Sequence, residues 1–211
     1  MDTQTPSTYT SVAAPSVINT TMDALKANSF EPLVLSTKEE ALAKIKELIP
    51  AGASVMNGAS KTLEAIGYID YLKAGTHGWN NLHDAILGEQ DPAKQAELRK
   101  HSVVSDFYLG SVHALSQTGE LVIASNTGSQ LPHLAFTSPN LILVVGAQKI
   151  TPTLAAAIER LETYVVPLEN ARLQSIYHID TTYAKTLILH KENPTLGRHV
   201  HVLIITEPLG F

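Results

Sequence analysis

Two short polar stretches of this 211-residue chain carry side chains whose types and spacing could do chemistry. The first is Gly58-Ala59-Ser60-Lys61-Thr62-Leu63-Glu64, which follows Ser54-Val55-Met56-Asn57 and opens an apolar stripe at Leu63, Ile66 and Ile69. A strand, a turn of small residues and a helix start make a natural anion site. The first-turn N–H groups lack intrahelical partners, and the helix dipole favours negative charge there. The hydroxyls of Ser60 and Thr62 and the amine of Lys61 would add donors. The same residues also make an ordinary helix start, with Ser60 as the N-cap and nothing bound. Glu64 falls in the first turn, where the dipole stabilises a carboxylate, and a general base one turn from a ligand would be usable. The second stretch is Asn126-Thr127-Gly128-Ser129-Gln130, which follows a strand end and precedes a helix. In α/β folds small ligands bind beyond the carboxyl ends of strands. Gly58 to Glu64 and Asn126 to Gln130 are therefore expected to face one pocket, with His113 and Lys149 as neighbours.

Other site chemistry is sparse. The chain has no cysteine, so thiolate zinc sites, cysteine-ligated iron–sulfur clusters and a cysteine nucleophile are ruled out for its own side chains. There is no phosphate-binding Walker loop, no G-x-G-x-x-G and no G-x-S-x-G elbow. His199 and His201 share a strand face, but with no carboxylate partner identifiable the expectation is no metal. His77 and His83 are six apart around Trp79, a spacing that does not put both imidazoles on one helix face. No resident cofactor is expected. A net charge of −5 gives no general attraction to nucleic acid or anionic membranes, and no apolar run approaches the length of a membrane span. Residues 1–15 are rich in Thr, Ser and Pro, without the basic start or apolar centre of a secretory leader. They read as a flexible arm ahead of a single domain at 16–211, and the protein as cytoplasmic.

The elements that must position these residues alternate between apolar runs and amphipathic stripes. Strands are expected near 31–35, 53–57, 103–108, 112–116, 120–124, 141–146, 186–190 and 199–206. Leu121-Val-Ile-Ala124 and Leu141-Ile-Leu-Val-Val145 are the clearest, short apolar runs bounded by turn residues. Thr118-Gly119 turns the chain between two strands, with Gly119 free to take the positive φ of a reversal. Helices are expected over 16–29, from the cap at Ser36 and Thr37 (each with a Glu three residues on) to Ile49, from Ser60, from Asp91-Pro92, and after a Thr151-Pro152 cap. Residues 166–177 continue as a helical or irregular connection. This alternation predicts an α/β protein, a three-layer α/β/α sandwich around a mixed, mainly parallel sheet.

The stretch from Asp106 to Ile150 also carries a resemblance. Asp106, Leu109-Gly110-Ser111, Ala114-Leu115, Gly119-Glu120-Leu121, Gly128, Val144-Val145-Gly146 and Lys149-Ile150 follow the pattern of the LUD domain family, which includes the lactate utilisation protein C proteins. Gly58-Ala-Ser60-Lys-Thr62-Leu63-Glu64-Ala-Ile66-Gly67 matches the same family upstream. LUD domains resemble the superfamily of ribose-5-phosphate isomerase, glucosamine-6-phosphate deaminase and coenzyme A transferase. That likeness implies the sandwich just described and a phosphorylated or coenzyme A-like ligand at strand-end loops. It also implies a place in lactate or organic-acid metabolism, as an enzyme or ligand sensor for a small anionic metabolite. The alternative it implies is a non-catalytic accessory subunit that docks with iron–sulfur redox partners. The chain departs from the pattern at His113, where many relatives carry Asn, and at Gly128-Ser129-Gln130, where many carry Gly-Asn-Arg. The resemblance thus carries fold further than substrate.

Oxidising lactate needs a two-electron acceptor that side chains cannot supply. The purified chain is accordingly expected to be colourless and to give no lactate-dependent reduction of artificial dyes. A flavin or cluster spectrum, or dye reduction by this chain alone, would refute that.

Overall fold

In the computed structural model, which describes residues 9–181 and 183–211, strand and helix alternate from the first element onward. Of the arm expected at 1–15, residues 1–8 lie outside the described residues. Helix α1 (Pro15–Ala27) buries Ile18, Thr21 and Leu25 and leads to strand β1 (Glu31–Leu35). Helix α2 (Lys38–Leu48) begins with a reciprocal cap: Thr37 Oγ1 accepts from Glu40 N–H at 3.2 Å, and the Glu40 carboxylate accepts from Ser36 N–H at 2.7 Å. Next come β2 (Ser54–Asn57), α3 (Lys61–Ala65), α4 (Tyr68–Lys73), the two-residue β3 (Asn80–Asn81), α5 (Leu82–Gly88) and α6 (Pro92–His101). Asp91 caps α6 by accepting from Ala93 N–H at 2.8 Å. Strands β4 (Phe107–Gly110), β5 (Ala114–Ser116) and β6 (Leu121–Ser125) follow, the last two turning at Gly119 with φ +93°. A widened helical turn at His133–Thr137 precedes β7 (Asn140–Gly146) and β8 (Ile150–Thr151). Helix α7 (Leu154–Arg160) passes through widened turns at Leu161–Val165 into α8 (Val166–Tyr177), and β9 (Lys185–Leu189) and β10 (His199–Ile205) complete the order.

Six strands form one sheet in the order β1-β10-β7-β4-β2-β3, every neighbouring pair parallel. A strand at the centre of such a sheet is covered on both faces and reads as a continuous apolar run. In β7 the alternation sends Leu141, Leu143 and Val145 to one core and Ile142 and Val144 to the other. Helices α2, α3 and α4 close the second face over Ala41, Ile45, Leu63, Tyr68 and Leu72. Helix α1 and a second, four-stranded sheet close the first, and α7 with the widened turns after it backs that small sheet through Ala157 and Leu161 against Ala114, Val122 and Ala124. The expected sandwich is present, with helices on both sides of a mainly parallel sheet.

Several details differ from the sequence reading. The expected strands at 112–116, 120–124 and 186–190 leave the main sheet and build the small one, in the order β8-β5-β6-β9. Its β5–β6 and β6–β9 pairs are antiparallel, so its inner face packs on the main sheet while its outer face takes a helix. The strand expected at 103–108 runs from Phe107 to Gly110 instead, because Val103 and Val104 finish the turn after α6 and Val104 is 67% exposed. Helix α7 is capped by Thr153, which accepts from Ala156 N–H at 3.2 Å, whereas Thr151 pairs in β8.

Because β7 packs on both faces, Ile142→Ala and Leu143→Ala should each destabilise the protein by about 2–5 kcal/mol in urea unfolding, through different cores. A loss below about 1 kcal/mol at either position would contradict this burial.

Candidate functional site

The carboxyl ends of β2, β4 and β6 open on one cavity of about 520 Å³, walled on its far side by Leu161, Val165 and Val166. Gly58, Ser60, Lys61, Thr62 and Glu64 line it from the β2 side. Asn126, Thr127, Ser129 and Gln130 line it from the β6 side, with His113 and Lys149 between. The expected residues therefore converge, with one exception. Gly128 forms the loop's bend, its N–H donating to Ser125 Oγ at 2.9 Å, and does not reach the cavity. The two loops touch at Gly58: a Cβ there would stand 2.5 Å from the Tyr108 hydroxyl and 3.3 Å from Gln130 Oε1. Gln130 also donates to Ala124 O at 3.1 Å, bracing the loop against the end of β6.

Within the first loop the polar groups are partly consumed by structure. Ser60 Oγ accepts from Leu63 N–H at 3.2 Å, an N-cap for the five-residue α3. Lys61 and Glu64 pair one turn apart at 2.5 Å, so neither charge at the rim is uncompensated. Glu169 and Arg172 form a second rim pair, with contacts of 2.6 and 2.7 Å. In the second loop Thr127 Oγ1 accepts from Ser129 N–H at 3.3 Å, and Asn126 donates to Thr181 Oγ1 at 3.4 Å.

Deeper in, the balance is different. Lys149 follows β7 and is 3% exposed, and its amine donates to Thr62 Oγ1 at 2.9 Å, Ser111 Oγ at 3.1 Å and Val112 O at 3.2 Å. Among the described residues no carboxylate pairs with it. Burial, helped by the positive Arg160, brings its pKa down to about 7. Arg160 is wholly buried, donates from Nη1 to His113 O, and leaves Nε and Nη2 without partners among the described residues. Its guanidinium lies 5.0 Å from the Tyr164 ring centroid and 5.7 Å from that of Tyr9. His113 Nδ1 accepts from Ala124 N–H at 3.1 Å, which puts the neutral ring's proton on Nε2. Desolvation, then Lys149 and Arg160, push its pKa down to about 3. The Asn57 side-chain oxygen, buried beside the cavity, has no partner.

Ser111, Tyr108, Asn57, Arg160 and Arg172 carry the site without having been singled out in the sequence. Arg160 had a readable signal: with Ala157, Leu161 and Tyr164 it shares the buried face of a helical stripe. Outside the cavity, Asp106 is a tie between strands, accepting from Ser54 N–H at 2.8 Å and Ser54 Oγ at 2.6 Å, which holds its pKa down. His83 lines the cavity with Nε2 2.7 Å from Asn57 O, while His77 Nδ1 accepts from Trp79 N–H at 3.0 Å. His199 and His201 do have a carboxylate, Glu31, at 2.6 and 3.1 Å. Even so, among the described residues no set of three or more His, Cys, Asp or Glu is placed to hold a metal ion. No helix of the described residues is long and apolar enough to cross a membrane.

A parallel sheet sandwiched by helices, with a polar cavity at its strand ends, defines the class. The LUD domain model matches residues 18–205, and the chain belongs to the LUD domain family, which is associated with lactate utilisation. The crystal structure of a DUF162 family protein from Deinococcus radiodurans superposes with a TM-score of 0.52 at 13% identity, covering 92% of this chain and 98% of that one. At that identity the likeness is one of fold. A comparison with curated proteins returned no match.

The neutral imidazoles set the acid limit of the fold. His133, near Ser105 and Ser138 and stacked on Tyr108, is pushed by burial to about 4, as His113 is to about 3. Both are depressed below the unfolded value of 6.5, so the unfolded chain binds more protons as pH falls. The contribution of the two imidazoles is then complete above about pH 6.5 and declines toward pH 4. From pH 7 to pH 5, His113 accounts for about 2 kcal/mol of that decline. The variant His113→Gln should remove about that much of the pH-dependent loss in urea unfolding. An unchanged pH profile would clear His113 of the role.

Proposed function

We propose that this LUD domain protein binds a small anionic metabolite, phosphorylated or coenzyme A-like, in the strand-end cavity, as part of lactate or organic-acid metabolism. The observation that carries the reading is Lys149: a buried amine that meets three neutral oxygens and no carboxylate. An unpaired cation in a desolvated site is costly, and a bound anion offsets that cost. Arg160 adds positive potential behind His113, and the rim cations Lys61 and Arg172 already have their carboxylates. Arg99 also lines the cavity, exposed and donating to Gln95 Oε1 at 3.2 Å, so what sets Lys149 apart is that its charge is buried. The His113 Nε2–H supplies a neutral donor for an anionic oxygen, and the Ser111 and Thr62 hydroxyls, which donate to Val112 O and Leu209 O at 3.3 Å, can turn to add theirs. A volume of about 520 Å³ falls in the range of small-molecule sites.

Thermal melting against a panel of sugar phosphates, carboxylates and coenzyme A esters tests the reading. A ligand at about a hundred times its Kd should stabilise the protein by about 2.7 kcal/mol, a rise of about 5–10 °C for a domain of this size. The double change Ser60→Ala, Thr62→Ala should raise that ligand's Kd about tenfold. A panel in which nothing produces saturable stabilisation would overturn the proposal and favour the accessory subunit that docks with iron–sulfur redox proteins.

A further inference from the structure

Anion binding alone leaves the choice of a lysine at position 149 unexplained. A guanidinium keeps its charge when buried and grips carboxylate or phosphate with two parallel bonds, whereas a buried lysine amine readily gives its proton up. Its setting favours the free base: among the described residues no acidic group pairs with the ammonium, and burial and the positive Arg160 both work against its charge. The amine is flanked by two hydroxyls, Thr62 Oγ1 at 2.9 Å and Ser111 Oγ at 3.1 Å. Thr62 donates to Leu209 O and Ser111 to Val112 O, each at 3.3 Å; turned from that carbonyl, either hydroxyl can take a proton from nitrogen and pass one to an oxygen beside it. Both line the cavity, as does His113, whose Nδ1 is committed to Ala124 and whose proton is left on Nε2.

Building on the anion-binding reading, we propose that Lys149 is a nucleophile that captures an anion bearing an aldehyde or ketone, an oxo acid or a phosphorylated carbonyl compound, as an imine. The lone pair on Lys149 Nζ forms the bond to the carbonyl carbon as the C=O π pair moves to oxygen. That oxygen gains a proton relayed from the amine through Thr62 or Ser111, giving a carbinolamine. A second proton, taken up from solvent through the cavity mouth, goes to the same oxygen, which leaves as water as the nitrogen lone pair closes the C=N bond. The product is a protonated imine, so the site's positive charge is retained beside the ligand's own anionic group. With a pKa near 7, a large share of the Lys149 amine is already in the reactive form at neutral pH.

The test uses the unaltered chain at pH 7.5 with glyoxylate, glycolaldehyde phosphate or the uncharged propionaldehyde, each with cyanoborohydride, followed by peptide mapping by mass spectrometry. Reduction of an imine leaves a stable secondary amine that marks its lysine. Lys149 should be alkylated at least about tenfold faster than the exposed Lys73 and Lys100 by one or both anionic aldehydes, and no faster than they are by propionaldehyde. Lys149→Arg should yield no adduct at position 149. If an anionic aldehyde stabilises the protein but Lys149 reacts no faster than the surface lysines, the imine is refuted and anion binding stands. If there is neither stabilisation nor selective alkylation, both readings fall. The mapping on the unaltered chain decides the matter even where the variant does not fold.

Discussion

An amine surrounded by neutral oxygens holds the ligand end of this molecule together. Lys149 lies just beyond β7, Ser111 and Val112 just beyond β4, and Thr62 in α3 beyond β2. Thr62 in turn donates to Leu209 O at 3.3 Å, so the segment after β10 joins the same network. Four strand ends that adjoin in the sheet are thus linked a second time, through side chains. Gly210 fits there for want of a side chain: a Cβ would come within 2.4 Å of Thr62 Oγ1 and 3.4 Å of Lys149 Nζ. The network fixes the walls of the cavity and withholds water from the buried Lys149 amine.

The charges sort by depth. At the rim, carboxylates and cations pair within one helical turn, Lys61 with Glu64 and Arg172 with Glu169, where solvent screens them and each pair adds little to stability. In the interior, Lys149 and Arg160 are positive groups without acids, and His113 between them is held neutral. Burying positive charge in this way works against folding, and proteins keep such arrangements at sites that meet a complementary ligand. Two aromatic faces and the His113 carbonyl soften the burial of Arg160 without cancelling its charge.

Much of this was legible in the sequence. The strand–loop–helix rhythm located both loops, because a polar glycine loop after an apolar run lies at a strand end whatever the tertiary arrangement. The capping box at Ser36 to Glu40 and the Asp91-Pro92 start are local chemistry, and local chemistry reads directly. Tertiary partners did not. Val103-Val104 had the composition of a strand but ends a turn, since burial depends on what packs opposite. Glu31 lies 168 positions from His199, and only the β1–β10 register brings them together. The division into two sheets was equally hidden, because an apolar run of three to five residues carries no mark of the sheet it will join.

Strand β10 is seated between β1 and β7, paired in parallel with both. Residues 31–35 and 140–146 are thus made well before the strand that separates them. A growing chain must therefore hold β7, buried on both faces in the finished sheet, with one hydrogen-bonding edge open. Such an edge is a template for any other extended chain. Helices α2, α3 and α4, made before β7, can cover one of its faces, but its native edge partner is residues 199–205. Emergence of that last strand is the moment at which the sheet becomes safe from its neighbours, and parallel pairings across such long separations form slowly. The design places the burden of solubility during synthesis on whatever keeps nascent chains apart.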